Sequence, residues 1–178
     1  MNQVQLKDKK FSLFIEEEKI LASIVALAEK INIDYKDRKP LFIGVLNGSF
    51  MFASDLLKNI DLDCEISFIK VSSYEGTAST GKVSDLIGLN QDIAGRDVII
   101  IEDIVDTGNT IENVNKSILE KKPASIKFAT LLLKPDVYKK DIKLDYVAIT
   151  IANDFIVGYG LDYDGLGRNL RDIYKITK

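Results

Sequence analysis

The sequence predicts an α/β fold in which a Rossmann-like parallel sheet is flanked by helices. The segments 41–46 and 98–101 are continuous apolar runs without polar alternation, which indicates strands that are buried on both faces. Segments with helical periodicity lie between the predicted strands, and this order is typical of a parallel sheet. The first and last parts of the chain, about 1–14 and 151–178, do not follow the alternation.

The individual elements follow from hydrophobic spacing. The first predicted helix, over about 15–31, has apolar residues at helical spacing, namely Ile20, Ile24, Ala28 and Ile31. The other helices are expected over about 49–58 and 109–121. The expected strands are 41–46, 64–71, 98–101, 125–133 and 145–151. Because no repeat, low-complexity tract or linker divides the sequence, residues 1–178 are expected to form one domain.

Composition excludes several classes of function. The length of 178 residues suits one full-sized core, and 46% hydrophobic with 29% charged residues is typical of a globular protein. The net charge of −3 does not favour a nucleic-acid backbone as a partner. Histidine is absent, which excludes Ser-His-Asp and Cys-His catalysis and those zinc sites that require imidazole.

The expected compartment is the cytoplasm. The single cysteine, Cys64, cannot form an internal disulfide and fits a reducing environment. The N-terminus lacks the apolar stretch of a signal peptide, and the sequence contains no apolar run of 18 residues. The sequence therefore predicts a soluble protein with no membrane partner.

The segment from Val98 to Thr110 has the most informative functional pattern. Its apolar strand runs into Glu102 and Asp103, which we expect at the carboxyl end of the strand, where parallel sheets bind ligands. Asp106 follows, and a turn of small and hydroxylated residues then leads into a helical pattern. Such a turn offers backbone N–H groups, two hydroxyls and a helix N-terminus to an anion. The alternative is a strand end with solvated acids and an ordinary helix cap.

This segment resembles the phosphoribosyl-diphosphate signature of the type I phosphoribosyltransferases. The resemblance implies that one turn holds the 5′-phosphate of the donor, through Thr107, Gly108, Asn109 and Thr110. It also implies that Glu102 and Asp103 lie beneath the ribose hydroxyls and bind Mg²⁺. Asp106 matches the acid that lies near the purine N7 and transfers the proton, so it is the candidate catalytic residue.

The polar segment 72–84 has two interpretations. Residues 76–82 match the first seven positions of a P-loop, but Val83 stands where serine or threonine should bind Mg²⁺. The segment is more similar to the long loop of the phosphoribosyltransferases, which begins at a Ser-Tyr pair, here Ser73 and Tyr74. We expect this loop to contact the donor and to act as a lid, because the electrophilic sugar must be shielded from water.

The C-terminal segment resembles a motif of the hypoxanthine-guanine phosphoribosyltransferases. The similarity runs from Asn153 to Tyr163 and continues to Arg168. In that family the terminal segments fold as a small hood, here about 1–14 and 151–178, over a core of about 36–150.

The same resemblance implies individual roles for the hood residues. Phe155 would stack on the purine, and the backbone of Ile156 would face its exocyclic position at C2. Asp162 would reach a Mg²⁺-bound water, and Arg168 would contact the pyrophosphate. Lys134 matches the lysine that donates to the 6-oxo group, and an obligate donor favours hypoxanthine and guanine over adenine.

The loop after the first core strand departs from the family pattern. Relatives usually have Leu-Lys-Gly, whereas this chain has Leu46, Asn47 and Gly48, and the matching peptide bond in relatives is often a non-proline cis bond. Asn47 and Gly48 keep their backbone amides for the pyrophosphate, but the lysine cation is lost. Arg168 and Mg²⁺ must then neutralise more of the leaving group.

The expected reaction is transfer of the 5-phosphoribosyl group from 5-phosphoribosyl 1-diphosphate to hypoxanthine and guanine. Its products are IMP or GMP and pyrophosphate, as in purine salvage, and the expected assembly is a homodimer or homotetramer. Two alternatives stay open: a xanthine-preferring phosphoribosyltransferase, and a non-catalytic nucleotide-sensing regulator on the same fold. A regulator would need a nucleic-acid-binding module or a basic face, and neither is visible in this acidic chain.

Overall fold

The structure is a computed structural model that describes residues 2–71 and 86–177. Within these residues the strands are β1 Gln3–Leu6, β2 Lys9–Ile15, β3 Leu41–Leu46, β4 Glu65–Val71, β5 Leu86–Ile87, β6 Asp97–Val105, β7 Ser125–Leu133, β8 Tyr146–Thr150, β9 Ile156–Val157 and β10 Ile173–Ile176. The helices are α1 Glu17–Asp34, α2 Phe50–Leu57 and α3 Asn109–Leu119. The predicted donor contacts Ser73 and Tyr74, the P-loop match and the predicted lid lie outside the described residues.

The main sheet confirms the predicted α/β class. Its strand order is β5-β4-β3-β6-β7-β8, and all neighbouring pairs are parallel except the antiparallel pair of β4 with β5. Helices α1 and α2 pack on one face, where Ile99 and Ile101 of β6 join their core. Helix α3 packs on the other face with Val98 and Ile100. The continuous apolar run of β6 is therefore buried on both sides, as its sequence predicts.

Strand β6 is longer than its apolar run predicts. The expected strand ended at residue 101, but pairing with β7 continues through Ile104 and Val105, which lie opposite Leu132 and Leu133. Glu102 and Asp103 consequently lie inside the strand near its carboxyl end, as expected, although two more strand residues follow them. The two apolar residues after the acids explain the difference, because they extend the ladder.

The helices lie close to their predicted positions. The apolar residues predicted for the first helix are all buried, at Ile20, Ile24, Ala28 and Ile31. In α2, Phe52, Ala53 and Leu56 are buried, whereas Phe50 keeps 42% of its surface exposed. None of the helices in the described part of the chain is long and apolar enough to span a membrane.

The terminal segments form the expected hood as a second, antiparallel sheet. Its strand order is β1-β2-β10-β9, so strands from both ends of the chain pair with one another. Phe11, Val157 and Tyr174 are the buried centre of a small separate core under this sheet. The hood therefore has its own packing, and it brings the C-terminal motif to the carboxyl edge of the main sheet.

Candidate active site

The turn between β6 and α3 presents the N-terminus of the helix. Gly108 adopts a left-handed conformation with φ of 83°, and a Cβ there would lie 2.5 Å from a ring carbon of Tyr138. Only glycine suits this position, because both the conformation and the space exclude a side chain. Asp106 accepts hydrogen bonds from the backbone N–H and the hydroxyl of Thr107. The N-cap residue of α3 is Gly108, which has no side chain to cap the helix, so the first backbone amides are available to an anion.

Two acids are buried beside this turn, and neither forms an ion pair with a described residue. Only 8% of the surface of either Glu102 or Asp103 is exposed. The Oε2 atom of Glu102 has no hydrogen-bond partner among the described residues, and Asp103 accepts one from the backbone N–H of Ile104 at 2.9 Å. The strand thus holds two carboxyl groups away from water with little to offset their charge.

The pKa values of both acids are raised by this environment. Burial raises the pKa of Glu102 well above its ordinary value, and the charges of Asp103 and Asp106 raise it further. Burial also raises the pKa of Asp103 to about 6, although backbone hydrogen bonds and the charge of Arg168 act in the opposite direction. A bound cation would reverse this cost, and these acids therefore could hold one.

The loop after β3 lies directly against Asp103. Its Leu46–Asn47 peptide bond is cis. A Cβ at Gly48 would lie 1.6 Å from Oδ2 of Asp103, so any side chain there would collide with the carboxylate. On the other side, a Cβ at Gly160 of the hood would lie 2.1 Å from the carbonyl oxygen of Gly48. The loop is therefore enclosed between the acid and the hood, with glycine at both close approaches.

Asp162 and Arg168 form an ion pair above the loop. Their closest atoms, Arg168 Nη2 and Asp162 Oδ1, are 2.6 Å apart. Arg168 also donates to the carbonyl oxygen of Gly160 at 2.7 Å, and Asp162 accepts from the backbone N–H of Gly165 at 2.7 Å. These bonds fix the arginine at the hood loop, where its charge acts on Asp103.

The predicted purine contacts lie at the same edge of the sheet. Lys134 follows β7, and its backbone N–H donates to the carbonyl oxygen of Val105 at 2.9 Å. Its Nζ lies 3.4 Å from Oδ1 of Asn153. Phe155 keeps 47% of its surface exposed, whereas Ile156 is buried. The structure thus places a lysine donor beside the end of β6, and an accessible aromatic ring two residues after the asparagine that this lysine contacts.

Most of the residues predicted for the site are brought together at this edge. This edge contains the turn, the two buried acids, the loop at Asn47, Lys134 and the hood residues. Ser73 and Tyr74 are outside the described part. No role was expected for Asn153, Gly160 or Tyr163, although all three lie in the C-terminal motif 153–163. Among residues 2–71 and 86–177, no group of three or more cysteine, aspartate or glutamate side chains is arranged to hold a metal ion.

Comparison with known proteins identifies the family. The family described as phosphoribosyl transferase domain matches residues 15–164. A hypoxanthine-guanine phosphoribosyltransferase of Streptococcus pneumoniae is 42% identical over 89% of this chain and 88% of its own length. The enzyme of the same name from Staphylococcus epidermidis is 45% identical over 92% of both chains.

Solved structures agree with the sequence comparison. A hypoxanthine-guanine phosphoribosyltransferase of Bacillus anthracis superimposes with a TM-score of 0.83 at 37% identity, over 93% of this chain and 96% of that one. A hypoxanthine phosphoribosyltransferase of Staphylococcus aureus gives a TM-score of 0.83 at 40% identity, over 93% and 91%. The chain thus has a known fold and belongs to the phosphoribosyl transferase domain family.

Proposed function

We propose that this protein is a pentosyltransferase of purine salvage, which joins hypoxanthine and guanine to the 5-phosphoribosyl group of 5-phosphoribosyl 1-diphosphate. The observation that carries the proposal is one edge of the sheet, where a helix N-terminus, two buried acids and a lysine donor meet. Relatives named hypoxanthine-guanine phosphoribosyltransferase, 42–45% identical over about nine-tenths of the chain, support the same activity.

The donor would occupy the edge between the turn and the hood. The 5′-phosphate would bind the backbone amides and hydroxyls of the turn, formed by Thr107, Gly108, Asn109 and Thr110. The pyrophosphate would face the loop of Asn47 and Gly48 and the guanidinium of Arg168. Arg168 is already paired with Asp162. It can therefore neutralise the leaving pyrophosphate only if its guanidinium contacts Asp162 and the pyrophosphate at the same time. Ser73 and Tyr74 remain proposed donor contacts outside the described residues.

Mg²⁺ fits this edge as a ligand held jointly by protein and donor. Glu102 has a buried carboxylate oxygen without a partner among the described residues, and oxygen ligands of this kind suit Mg²⁺. We propose Glu102 and Asp103 as its protein partners, with Asp162 acting through a water. Sites for Mg²⁺ commonly use one or two carboxylates plus substrate phosphates, which agrees with the small set of acids here. When bound, Mg²⁺ would offset the negative charge of the leaving diphosphate.

The reaction needs little covalent chemistry from the protein. As purine N9 bonds to C1′ of the ribose, the C1′–O bond to diphosphate breaks and the purine loses a proton. We propose that Asp106 accepts this proton near N7. Phe155 would stack on the base, Lys134 would donate to its 6-oxo group, and the backbone of Ile156 would face C2. Catalysis would then rest mainly on positioning and electrostatics.

The proposal includes one domain, a cytoplasmic location and assembly as a homodimer or homotetramer. Support for assembly comes from three apolar side chains, Phe50, Ile66 and Phe68, which keep 42%, 37% and 37% of their surfaces exposed. Ile66 and Phe68 are two residues apart on β4 and therefore point to the same face of the sheet. Light scattering on the purified protein measures the mass of the assembly, and a monomer at micromolar concentration would contradict this part.

An assay with four purine bases tests the proposed reaction. Purified protein is incubated with Mg²⁺, 5-phosphoribosyl 1-diphosphate and hypoxanthine, guanine, xanthine or adenine, and the nucleotide products are quantified. We expect kcat/KM for hypoxanthine and guanine to exceed that for adenine by at least about 100-fold, because Lys134 cannot accept from an amino group. Comparable use of adenine would contradict the assignment, a preference for xanthine would establish the xanthine alternative, and no product from any base would favour a non-catalytic role.

A further inference from the structure

Three aromatic rings pack together where the hood meets the proposed purine site. Phe155 and Tyr163 are arranged edge to face, with ring centroids 5.9 Å apart and an interplanar angle of 89°. Phe11 of β2 completes the group, with centroids 6.3 Å from Phe155 and 6.1 Å from Tyr163. Phe11 is fully buried, whereas Phe155 keeps 47% of its surface exposed despite both neighbours. Two rings therefore support the one ring that remains accessible to a ligand.

Tyr163, one of the two supporting rings, is bound to the turn between β1 and β2. The hydroxyl of Tyr163 donates to Oδ1 of Asp8 at 2.9 Å. This bond lowers the pKa of Asp8 and raises that of Tyr163, since it favours the ionised carboxylate and the neutral phenol. The next residues repeat the connection, because Lys7 and Asp164 form an ion pair. The N-terminal hairpin and the C-terminal loop are thus joined by two adjacent polar contacts.

The hairpin turn is itself well defined. Leu6 lies opposite Lys9 in the antiparallel ladder, which leaves a connection of only two residues, Lys7 and Asp8. Lys7 has a positive φ of 49°, as two-residue hairpin turns require at their first central position. The paired strands therefore fix the backbone at Asp8, whose carboxylate accepts the hydrogen bond from Tyr163.

Phe155 depends on such support because the strand that follows it is short. It stands immediately before β9, a strand of two residues, and its carbonyl oxygen accepts one backbone hydrogen bond from Ile176. Few backbone contacts restrict the ring itself, whereas an edge-to-face neighbour favours one ring orientation. A stacked purine binds best to a ring that already has the correct orientation, because less ordering is needed on binding.

We propose that the β1–β2 hairpin, acting through Asp8 and Tyr163, positions the Phe155 ring against which the purine base stacks. Tyr163 is in this view a positioning residue for base affinity, and it does not touch the reacting atoms. The proposal rests on the proposed function, since it needs a purine that binds at Phe155. It assigns a role to the N-terminal hairpin, which otherwise would only cover the core.

Steady-state kinetics of four variants test this role. Tyr163→Leu removes the ring, and Tyr163→Phe removes only the hydrogen bond. Asp8→Ala removes the same bond together with the exposed Asp8–Lys9 ion pair of 3.3 Å. Tyr146→Phe is the matched control, since the Tyr146 hydroxyl donates to Asp34 at 2.7 Å in another tyrosine–aspartate pair, in which both residues lie at the opposite edge of the sheet. KM for hypoxanthine, KM for the donor and kcat are measured for each, with thermal unfolding to verify folding.

We expect Tyr163→Leu to raise KM for hypoxanthine about five- to tenfold, with the donor KM and kcat changed less than about twofold. Tyr163→Phe and Asp8→Ala should each raise the hypoxanthine KM about two- to threefold, and their double variant no further, because both remove the same bond. Tyr146→Phe should leave all three constants unchanged.

Other outcomes would overturn the proposal. One such outcome is an unchanged hypoxanthine KM in folded Tyr163→Leu, and another is an equal rise in the KM values for hypoxanthine and donor. Either would show that the hairpin only supports the hood and does not position the Phe155 ring. If Tyr163→Leu does not fold, additive effects of Tyr163→Phe and Asp8→Ala would have the same consequence. Wild-type protein that forms no nucleotide from any purine would instead refute the proposed function, and the inference with it.

Discussion

The acids at the two ends of strand β6 differ in how well their charge is compensated. At the amino end, Asp97 accepts from Arg38 at 2.6 Å and from the hydroxyl of Ser125 at 2.5 Å. Near the carboxyl end, Oε2 of Glu102 is buried without a hydrogen-bond partner among the described residues, and Asp103 accepts a hydrogen bond from the backbone N–H of Ile104. One strand therefore holds both a compensated acid and two acids that burial penalises.

This difference extends beyond one strand. At the amino edge, Asp34 accepts from the hydroxyl of Tyr146, and Asp145 accepts from the backbone N–H of Phe128 and lies 3.2 Å from Lys143. These pairs are what a fold selected for stability would contain. Uncompensated buried acids persist where function needs them, because each costs stability in the absence of a ligand. The contrast thus locates the reactive edge without reference to any relative.

The largest effect is expected at the exposed acid of the reactive edge. Asp106→Asn should lower kcat by about 10²- to 10⁴-fold, because a proton acceptor is lost. Donor affinity should change little, since the turn presents backbone amides and asparagine can still accept from Thr107. Steady-state rates and donor binding by calorimetry measure the two quantities separately.

Asp97→Asn is the matched control for that experiment, because it makes the same change at the other end of β6. A near-full rate in Asp106→Asn at all pH values would show that Asp106 is not the proton acceptor. A loss confined to donor affinity would place Asp106 in the phosphate turn instead.

The sequence predicted the strands well where apolar runs end at polar residues. Strands β3 and β7 have the predicted bounds of 41–46 and 125–133. Strand β6 was predicted too short, because Glu102 and Asp103 interrupt the hydrophobic pattern whereas the ladder with β7 continues. A local sequence pattern contains the chemical type of each side chain, but it does not contain the pairing of a strand with a distant strand.

The same limit applies to the candidate site. Its residue types were visible in the turn and in the C-terminal motif, and the structure brings those described to one edge. The contact of Lys134 with Asn153 spans 19 residues, and that of Tyr163 with Asp8 spans 155. Neither has a local signature, because the first depends on how the hood packs on the core and the second on how the two terminal segments pair within the hood.

The intermediate effect concerns the cost of a buried acid. Without ligand, Asp103→Asn should raise the free energy of unfolding at pH 8 by about 1–3 kcal/mol. The pKa of Asp103 is raised to about 6 by burial, so the folded state disfavours its ionised form. Stability is therefore highest below the ordinary pKa and is lost as pH rises through about 6. Asparagine does not titrate and should remove that loss.

Denaturant unfolding of wild type and Asp103→Asn at pH 5 and pH 8 measures this difference. The gain of the variant should be larger at pH 8 than at pH 5, and donor binding in Mg²⁺ should be weaker in the variant. A variant that is less stable than wild type at pH 8 would mean that the backbone bond from Ile104 outweighs the cost of burial, and the comparison between the two ends of β6 would fail.

The smallest effect is expected at the compensated end of the same strand. Asp97→Asn should lower the free energy of unfolding by about 1 kcal/mol, because the acceptor for Arg38 becomes neutral. The loss is small because the guanidinium of Arg38 can still form hydrogen bonds with water. The rate of the reaction should not change, since the residue lies at the edge of the sheet opposite the turn. Denaturant unfolding at low and high salt separates the charge contribution from the hydrogen bond with Ser125. A stabilised Asp97→Asn would show that pairing at the amino end does not offset the burial of its acid, and the two ends of β6 would then differ only in their geometry.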